Sequence, residues 1–431
     1  MVKTVSRALV VAALAVGMGL GSASGADWPN WRGPDENGTS PERNLPERWS
    51  LTENLAWTLP LPSASGSTSI VAGDRIFLSV IDGDEVELWC ADRRTGTVSW
   101  KRPVGPAEGH AHRKHNMSSP SPVTGDGRVF TMTGNGALKA FSFEGKELWA
   151  RDLQADYGPF GTQWGYGSSP LLFDGTLYVQ VLHGMKTDDP SYLLGLDPAS
   201  GKTRFHVERP TPARRESPDS YTTPAVARRD GKTEIILTGG DLVTGHDPAT
   251  GKELWRDDGL NPNREGNYRI IASALVHDDI VVASTRVKPM LALRAFGKGD
   301  VTGKRRLWSF DRGPDVPTPT TDGTRLYVVT DKGILWCLEL QTGKTIYGPQ
   351  RLAVGTYSAS PLLADGKLYI ANEDAVTSVI RAGSTFELIA ENTLEGFTLS
   401  SFAAVQGQLF LRAGKTLYCI GKIGAPQDDG F

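Results

Sequence analysis

The sequence predicts an all-β fold, an eight-bladed β-propeller of four-stranded antiparallel blades with the last blade closed by an N-terminal strand. Three observations predict it. A Gly turn followed by an aromatic residue recurs along the chain, and a Ser/Thr marker precedes each unit at intervals of 41–54 residues. A β-rich run lies between each marker and its turn. Self-similarity at this period is the mark of a repeat architecture, in which units bury their apolar faces only by stacking on one another.

The turn units are Thr95-Gly96 leading to Trp100, Glu144-Gly145 to Trp149, Ser200-Gly201 to Phe205 and Thr250-Gly251 to Trp255. Thr302-Gly303 leads to Trp308, Thr342-Gly343 to Tyr347, and a degenerate copy runs from Gly383 to Phe386. The copies begin at Ser69, Ser119, Ser169, Thr223, Ser273, Thr318, Ser360 and Ser401. Each reads as strand A at the marker, a turn, strand B, a loop, strand C, the Gly turn and strand D carrying the aromatic. The last copy stops after strand C at Leu417 to Ile420, while an orphan strand with a D-type aromatic, Leu55-Ala56-Trp57-Thr58-Leu59, precedes the first copy. An open ring would present an unpaired strand edge. The orphan strand is therefore expected to complete the final blade.

The N-terminus carries Lys3 and Arg7, an apolar run from Ala8 to Leu20, and small residues ending in Ser24-Gly25-Ala26. That layout predicts a cleavable signal over residues 1–26. An N-terminal extension is expected over 27–54, the propeller over 55–422 and a flexible tail over 423–431. No later apolar stretch approaches a membrane span, so the expected location is periplasmic or secreted and the expected state is a monomer. The formal net charge is −3 and the Arg pairs are scattered, which excludes a nucleic-acid footprint. Cys90, Cys337 and Cys419 occupy the repeat position held elsewhere by Ala140, Gly195 and Gly245. They read as small buried strand residues rather than disulfide partners.

Catalytic motifs are absent: the chain has no G-x-S-x-G elbow, P-loop or H-E-x-x-H pair, and no catalytic residue is assigned. His110, His112 and His115 form an incomplete metal-ligand set with no nearby Cys. Loop length is the better guide. The D-to-A loops 104–114, 154–163, 209–219 and 258–267 are long, and the B-to-C loop 183–191 shares their face. Elaborated loops on a rigid scaffold are where binding concentrates. Counting back four residues from each marker's following position gives a ring at the channel mouth: Asn116, Tyr166, Ser220, Ile270, Asp315, Tyr357 and Thr398. With the neighbours His115, Trp164, Tyr221 and Arg269, the candidate ligand-binding set is His115, Asn116, Trp164, Tyr166, Tyr221, Arg269, Asp315 and Tyr357. This mixture suits a small polar or sugar-like ligand. The alternative is that these side chains plug the channel.

The Gly-Lys-x-x-Trp element, as in Thr250-Gly251-Lys252 to Trp255, resembles the tryptophan-docking repeat of the pyrroloquinoline quinone (PQQ) propellers. That superfamily includes the quinoprotein alcohol dehydrogenases and the propeller lipoprotein of the outer-membrane β-barrel assembly machinery. The segments Asp27-Trp28-Pro29-Asn30-Trp31-Arg32-Gly33-Pro34 and His115-Asn116-Met117-Ser118-Ser119-Pro120-Ser121-Pro122 resemble exported bacterial PQQ-binding-like β-propeller repeat proteins. The resemblance implies that the repeated tryptophans are scaffold. Quinoprotein dehydrogenases use a catalytic Asp, a calcium ion beside the quinone, a Trp floor and often adjacent cysteines. This chain has no Cys-Cys pair and no C-x-x-C-H haem site. The favoured reading is a non-catalytic exported propeller that binds a small polar ligand or an envelope protein with its long-loop face, PQQ with calcium not being favoured. The alternative is a PQQ-dependent oxidoreductase acting on alcohols or sugars.

Overall fold

Each marker-to-turn unit folds into one antiparallel sheet. The computed structural model describes residues 27–286 and 288–422; the expected signal segment and tail lie outside them. Blades 1 to 7 span residues 70–106, 123–152, 171–208, 225–258, 275–310, 320–351 and 362–393, and blade 8 combines 403–420 with Leu55–Pro60. Two sheets gain a short fifth strand: Thr39–Ser40 pairs in parallel with blade 7, and Gly299–Asp300 with blade 4. Inner strands are buried throughout, as at Thr176–Val181, whereas an outer strand such as Thr203–Glu208 alternates between half-buried and exposed positions. That contrast follows from strand period: a strand between two blades buries both faces, while the peripheral one leaves every second residue in water.

The repeat's aromatic and its small partner have one shared cause. Cys90 lies directly opposite Trp100 across the strand pair, Ala140 opposite Trp149, Gly195 opposite Phe205, Gly245 opposite Trp255, Cys337 opposite Tyr347 and Cys419 opposite Trp57. A large ring lies over that position, so only a small residue fits. All three cysteines are buried and free. The same ring reaches the next blade. The Trp100 indole covers Gly145, where an added Cβ would come within 2.8 Å of the ring, and the Trp100 N–H donates to the Phe143 carbonyl at 3.0 Å. Trp57, Trp149 and Trp308 make the equivalent bonds to the carbonyls of Arg93, Pro198 and Leu340. Trp255 instead donates to Glu234 of its own blade at 2.7 Å, where the inserted strand Gly299–Asp300 pairs alongside it. Each ring buries on the order of 150–250 Å² between blades.

Around the axis runs a closed circle of hydrogen bonds. The backbone N–H of Thr68 donates to the Ser121 hydroxyl, Ser121 to Ser169, Ser169 to Thr223 and Thr223 to Ser273. Ser273 continues to Thr318, Thr318 to Ser360, Ser360 to Ser401, and Ser401 back to Thr68, all at 2.9–3.3 Å. Every blade gives one donor and one acceptor. The circle corrects the alignment of the first two copies: their equivalent residues are Thr68 and Ser121, not Ser69 and Ser119. The sequence Ser119-Pro120-Ser121-Pro122 contains the marker twice, and only its second copy has the spacing to strand A found in the other blades.

Blade 8 closes as expected. Leu55–Pro60 pairs antiparallel with Thr416–Ile420, Trp57 facing Cys419 and Leu59 facing Leu417. Two buried arginines reinforce this seam. Arg412 donates to the carbonyls of Ser79 and Ser63, and Arg93 to the side-chain oxygens of Gln408 and Gln406.

Residues 27–49 form a strap across the end of the ring that carries the A–B turns. Trp28 bridges Val71 of blade 1, and the Pro29 carbonyl accepts from Thr124 of blade 2. Glu36 pairs with Arg228 of blade 4, and Glu42 accepts from Gly407 of blade 8. Between these points the buried Arg32 guanidinium donates to the carbonyls of Pro319, Pro361 and Asn37 at 2.6–3.3 Å. Among the described residues no carboxylate pairs with Arg32, and burial lowers its pKa. The strap thus links blades that do not touch one another and crosses one end of the central channel.

Glycine substitutions separate ring packing from backbone strain. Gly127 and Gly145 both have φ near the left-handed region, at 71° and 83°, but nothing lies within 4 Å of a Cβ at Gly127. Gly127→Ala is expected to cost about 1 kcal/mol. Gly145→Ala is expected to cost about 1–3 kcal/mol more, because the Trp100 ring must move. Denaturant midpoints of the two variants check this, and equal midpoints would contradict the docking role of Trp100.

Candidate binding site at the channel mouth

The long loops meet at the end of the channel opposite the strap. There a cavity of about 710 Å³ opens, lined from all eight blades. Blade by blade, the lining comprises Gly66; His112, Lys114, His115 and Ser119; Trp164 and Gly167; Glu216 and Tyr221; Arg269, Ile271 and Arg286; Asp315, Val316 and Asp331; Thr356 and Ser358; and Leu399. Its size lies within the range of small-molecule pockets.

Trp164 is the best-fixed aromatic of the mouth. Its loop leaves blade 2 through a short helix, Leu153–Tyr157, capped by the Asp152 carboxylate, which accepts from the N–H groups of Gln154 and Ala155. The Trp164 indole N–H donates to Glu216 at 2.8 Å, its backbone N–H donates to the Tyr221 hydroxyl at 3.2 Å, and the His112 ring meets the indole edge-on. Its carbonyl faces His115 Nε2 at 2.9 Å. A carbonyl only accepts, so the His115 proton sits on Nε2, leaving buried Nδ1 as a partnerless acceptor. Burial lowers the His115 pKa and keeps the ring neutral.

Arg269 continues the same wall, sharing the Glu216 carboxylate with Trp164. Its guanidinium lies 3.5 Å from Glu216 and 3.3 Å from Asp315. Asp331 accepts the backbone N–H groups of Asp315 and Val316 at 2.8 and 3.0 Å. Burial pushes the Asp315 carboxyl up to about 6 and raises Asp331 as well. Beneath this wall Asp219 accepts from the N–H groups of Gln163 and Met185, joining the loop before blade 3 to the B–C loop of that blade. Burial also raises Asp219 to about 6. Across the mouth, Lys114 reaches from the loop entering blade 2 to Glu373 of blade 7 at 2.6 Å, and Ser358 donates to the same carboxylate.

His115, Trp164, Tyr221, Arg269 and Asp315 therefore meet in one cavity. Three other candidates do not reach it. Tyr166 and Tyr357 are buried between blades, donating to the carbonyls of Gln180 and Ala353, because the counted position points into the blade interface rather than the channel. Asn116 is displaced by the marker alignment; Ser118 is its equivalent, and Asn116 instead ties its loop to the Ala64 carbonyl. The three histidines diverge: His110 and His115 face separate carbonyls, and His112 packs on Trp164. Among the described residues no group of three or more His, Cys, Asp or Glu side chains is placed to hold a metal. Lys114, Glu216, Arg286 and Asp331 were not singled out in the sequence. Glu216 lay within a flagged long loop, whereas Asp331 sits in a B–C turn that carries no motif.

With this geometry in place, comparison with known proteins is informative. A family profile described as outer membrane protein assembly factor BamB, the PQQ_2 repeat, matches residues 107–348, more than half of the chain. The chain belongs to this family. BamB from Moraxella catarrhalis superimposes on the PQQ-repeat chain with a TM-score of 0.60 at 13% identity, covering 85% of this chain and 96% of that one. A europium-containing methanol dehydrogenase gives 0.69 at 11%, covering 91% and 90%. Quinohemoprotein alcohol dehydrogenase from Comamonas testosteroni gives 0.67 at 12%, covering 94% and 82%. At these identities the likeness is one of fold. No curated protein matches the sequence.

The mouth of this PQQ-repeat propeller does not fit a quinone with calcium. Calcium takes six to eight oxygen ligands. Here both Asp331 oxygens are held by backbone N–H groups, Asp315 and Glu216 are held by Arg269, and Glu373 by Lys114 and Ser358. Lys114, Arg269 and Arg286 stand among these carboxylates, and among the described residues no three of them come together as a ligand set for a hard cation.

The raised acids set a pH dependence. An Asp held near 6 in the fold and near 4 when unfolded contributes stability below pH 4 that is lost as pH rises to 6. Asp219→Asn is expected to reduce this loss by up to about 3 kcal/mol. Melting temperatures of both proteins from pH 4 to 7 check it; parallel curves would contradict the burial of an acidic Asp219.

Proposed function

We propose that this propeller is an exported, non-catalytic binding protein that takes a small polar ligand into the mouth of its channel on the long-loop face. The observation that carries the reading is the cavity of about 710 Å³ lined from every blade, with charged and aromatic side chains converging on it from blades 2 to 6. Convergence of polar groups in one concave site is what distinguishes a ligand pocket from a plugged axis. The strap supports the same polarity, since it occupies the other end of the channel and leaves one face for binding.

Export rests on the N-terminal signal pattern, and among the described residues no helix is long and apolar enough to cross a membrane. Released protein is expected to begin at Asp27, which N-terminal sequencing checks. A binding role agrees with the mouth chemistry: Glu216 and Asp315 pair with Arg269, and Glu373 with Lys114.

A melting-temperature screen of small polar metabolites tests the proposal. A ligand at high saturation is expected to raise the midpoint by several degrees. Arg269→Ala should abolish that shift while the protein remains folded by circular dichroism. In the same preparation, PQQ with calcium and a primary alcohol should reduce no redox dye; dye reduction would overturn the non-catalytic reading.

A further inference from the structure

We infer that the ligand of the mouth cavity is an uncharged saccharide, a mono- to trisaccharide stacked on Trp164 and held through its hydroxyls by Glu216, Arg269 and Asp315. The inference rests on the binding role proposed above and specifies its chemistry. Three observations converge on it. The first is charge. The lining carries Lys114, Arg269 and Arg286 against Glu216, Asp315 and Asp331, three of each sign, and Glu373 behind Lys114 adds one further carboxylate. Such a wall offers charged hydrogen-bonding groups without a positive field, so it gains nothing from a multiply charged anion. Arg286, which makes no ion pair among the described residues, equally discourages a cation.

The second observation is the fixed aromatic. The indole of Trp164 is pinned by Glu216 through its N–H and by the perpendicular His112 ring, so little side-chain entropy remains to be lost when a ligand stacks on it. A pyranose presents an apolar C–H face and a rim of hydroxyls. An indole beside carboxylates answers both at once.

The third is hydrogen-bond valency. Glu216 and Asp315 flank one guanidinium, which presents two acceptors and a donor fork in a row. Vicinal hydroxyls, each a donor and an acceptor, match such a row, and hydrogen bonds to charged groups are the stronger kind. Tyr221 and Ser358 supply further hydroxyl partners on either side of the cavity.

Isothermal titration calorimetry of residues 27–431 with cello-, xylo-, malto- and mannotriose tests the inference, with trigalacturonate and spermidine as charged comparisons. At least one neutral trisaccharide should bind, both charged probes should not, and Trp164→Ala should weaken binding at least tenfold. Glu216→Gln, which keeps the shape of the side chain, should weaken binding less than Trp164→Ala and provides the readout if the tryptophan variant does not fold. Hydrogen exchange should show protection by the trisaccharide at residues 163–167 and 269–271. Binding of trigalacturonate or spermidine at those residues, with no neutral trisaccharide binding, overturns the saccharide assignment and leaves the mouth as a ligand site. If none of these probes binds, the saccharide assignment falls. If no compound in the metabolite screen binds either, the binding reading falls with it.

Discussion

A ring of sheets must be closed at one place where the chain does not run on, and here that place is the pairing of Leu55–Pro60 with Thr416–Ile420. The four blade strands come from one continuous stretch of chain in seven blades, but blade 8 takes its outer strand from the opposite end of the polypeptide. Without that strand Cys419 and Leu417 would lose Trp57 and Leu59 from their outer side, and the blade would present an unpaired edge to water. The neighbouring contacts share this dependence. Trp57 packs its ring on Gly96 of blade 1 and donates to the Arg93 carbonyl, so the same strand that completes blade 8 also docks it on blade 1. Arg93 and Arg412 then cross the seam in opposite directions. The eight-membered hydroxyl circle is closed only while this seam holds, because its last bond runs from Ser401 to Thr68.

The closed ring gives the two ends of the channel different characters. On one, short A–B turns make a level surface that the strap crosses, with Arg32 sealed among backbone carbonyls near the axis. On the other, loops of unequal length lean inward, and the ion pair between Lys114 and Glu373 joins blades 2 and 7 over the mouth. The wall built by Trp164, Glu216, Arg269 and Asp315 belongs to four successive loops, each anchored by its own blade. Function on such a scaffold can vary by loop exchange while the packing beneath stays constant. That accounts for a fold shared with both BamB and quinoprotein dehydrogenases, at identities of 11–13%, on a chain whose mouth chemistry does not suit calcium.

Much of the fold was legible in the sequence because it is repeated and local. The Gly turn, the docking aromatic and the small residue opposite it are set by strand spacing, so Trp100, Gly145 and Cys90 announce their roles through position alone. The doubled marker at Ser119 and Ser121 misled the alignment, since strand register is fixed by the hydroxyl circle, a contact between distant segments. The site was less legible for the same reason. Arg269 and Asp315 fell beside counted positions, but the counted residues Tyr166 and Tyr357 turn into the blade interfaces, a matter of strand pleat that a fixed offset does not carry. Asp331 and Lys114 reach the mouth only through turns and a loop whose courses depend on other blades. The strap was read simply as an extension, because its partners lie hundreds of residues away in the chain.

Hydrogen exchange of the amides of Leu417 to Ile420, which lie between two strands of blade 8, tests the closure most directly. Ring closure by Leu55–Pro60 requires that these amides open only with global unfolding, exchanging in the same slowest class as the core strand Val129–Met132 of blade 2. Exchange of Leu417 to Ile420 far ahead of that strand would mean that the ring is open at the seam, and would contradict the architecture on which the binding face depends.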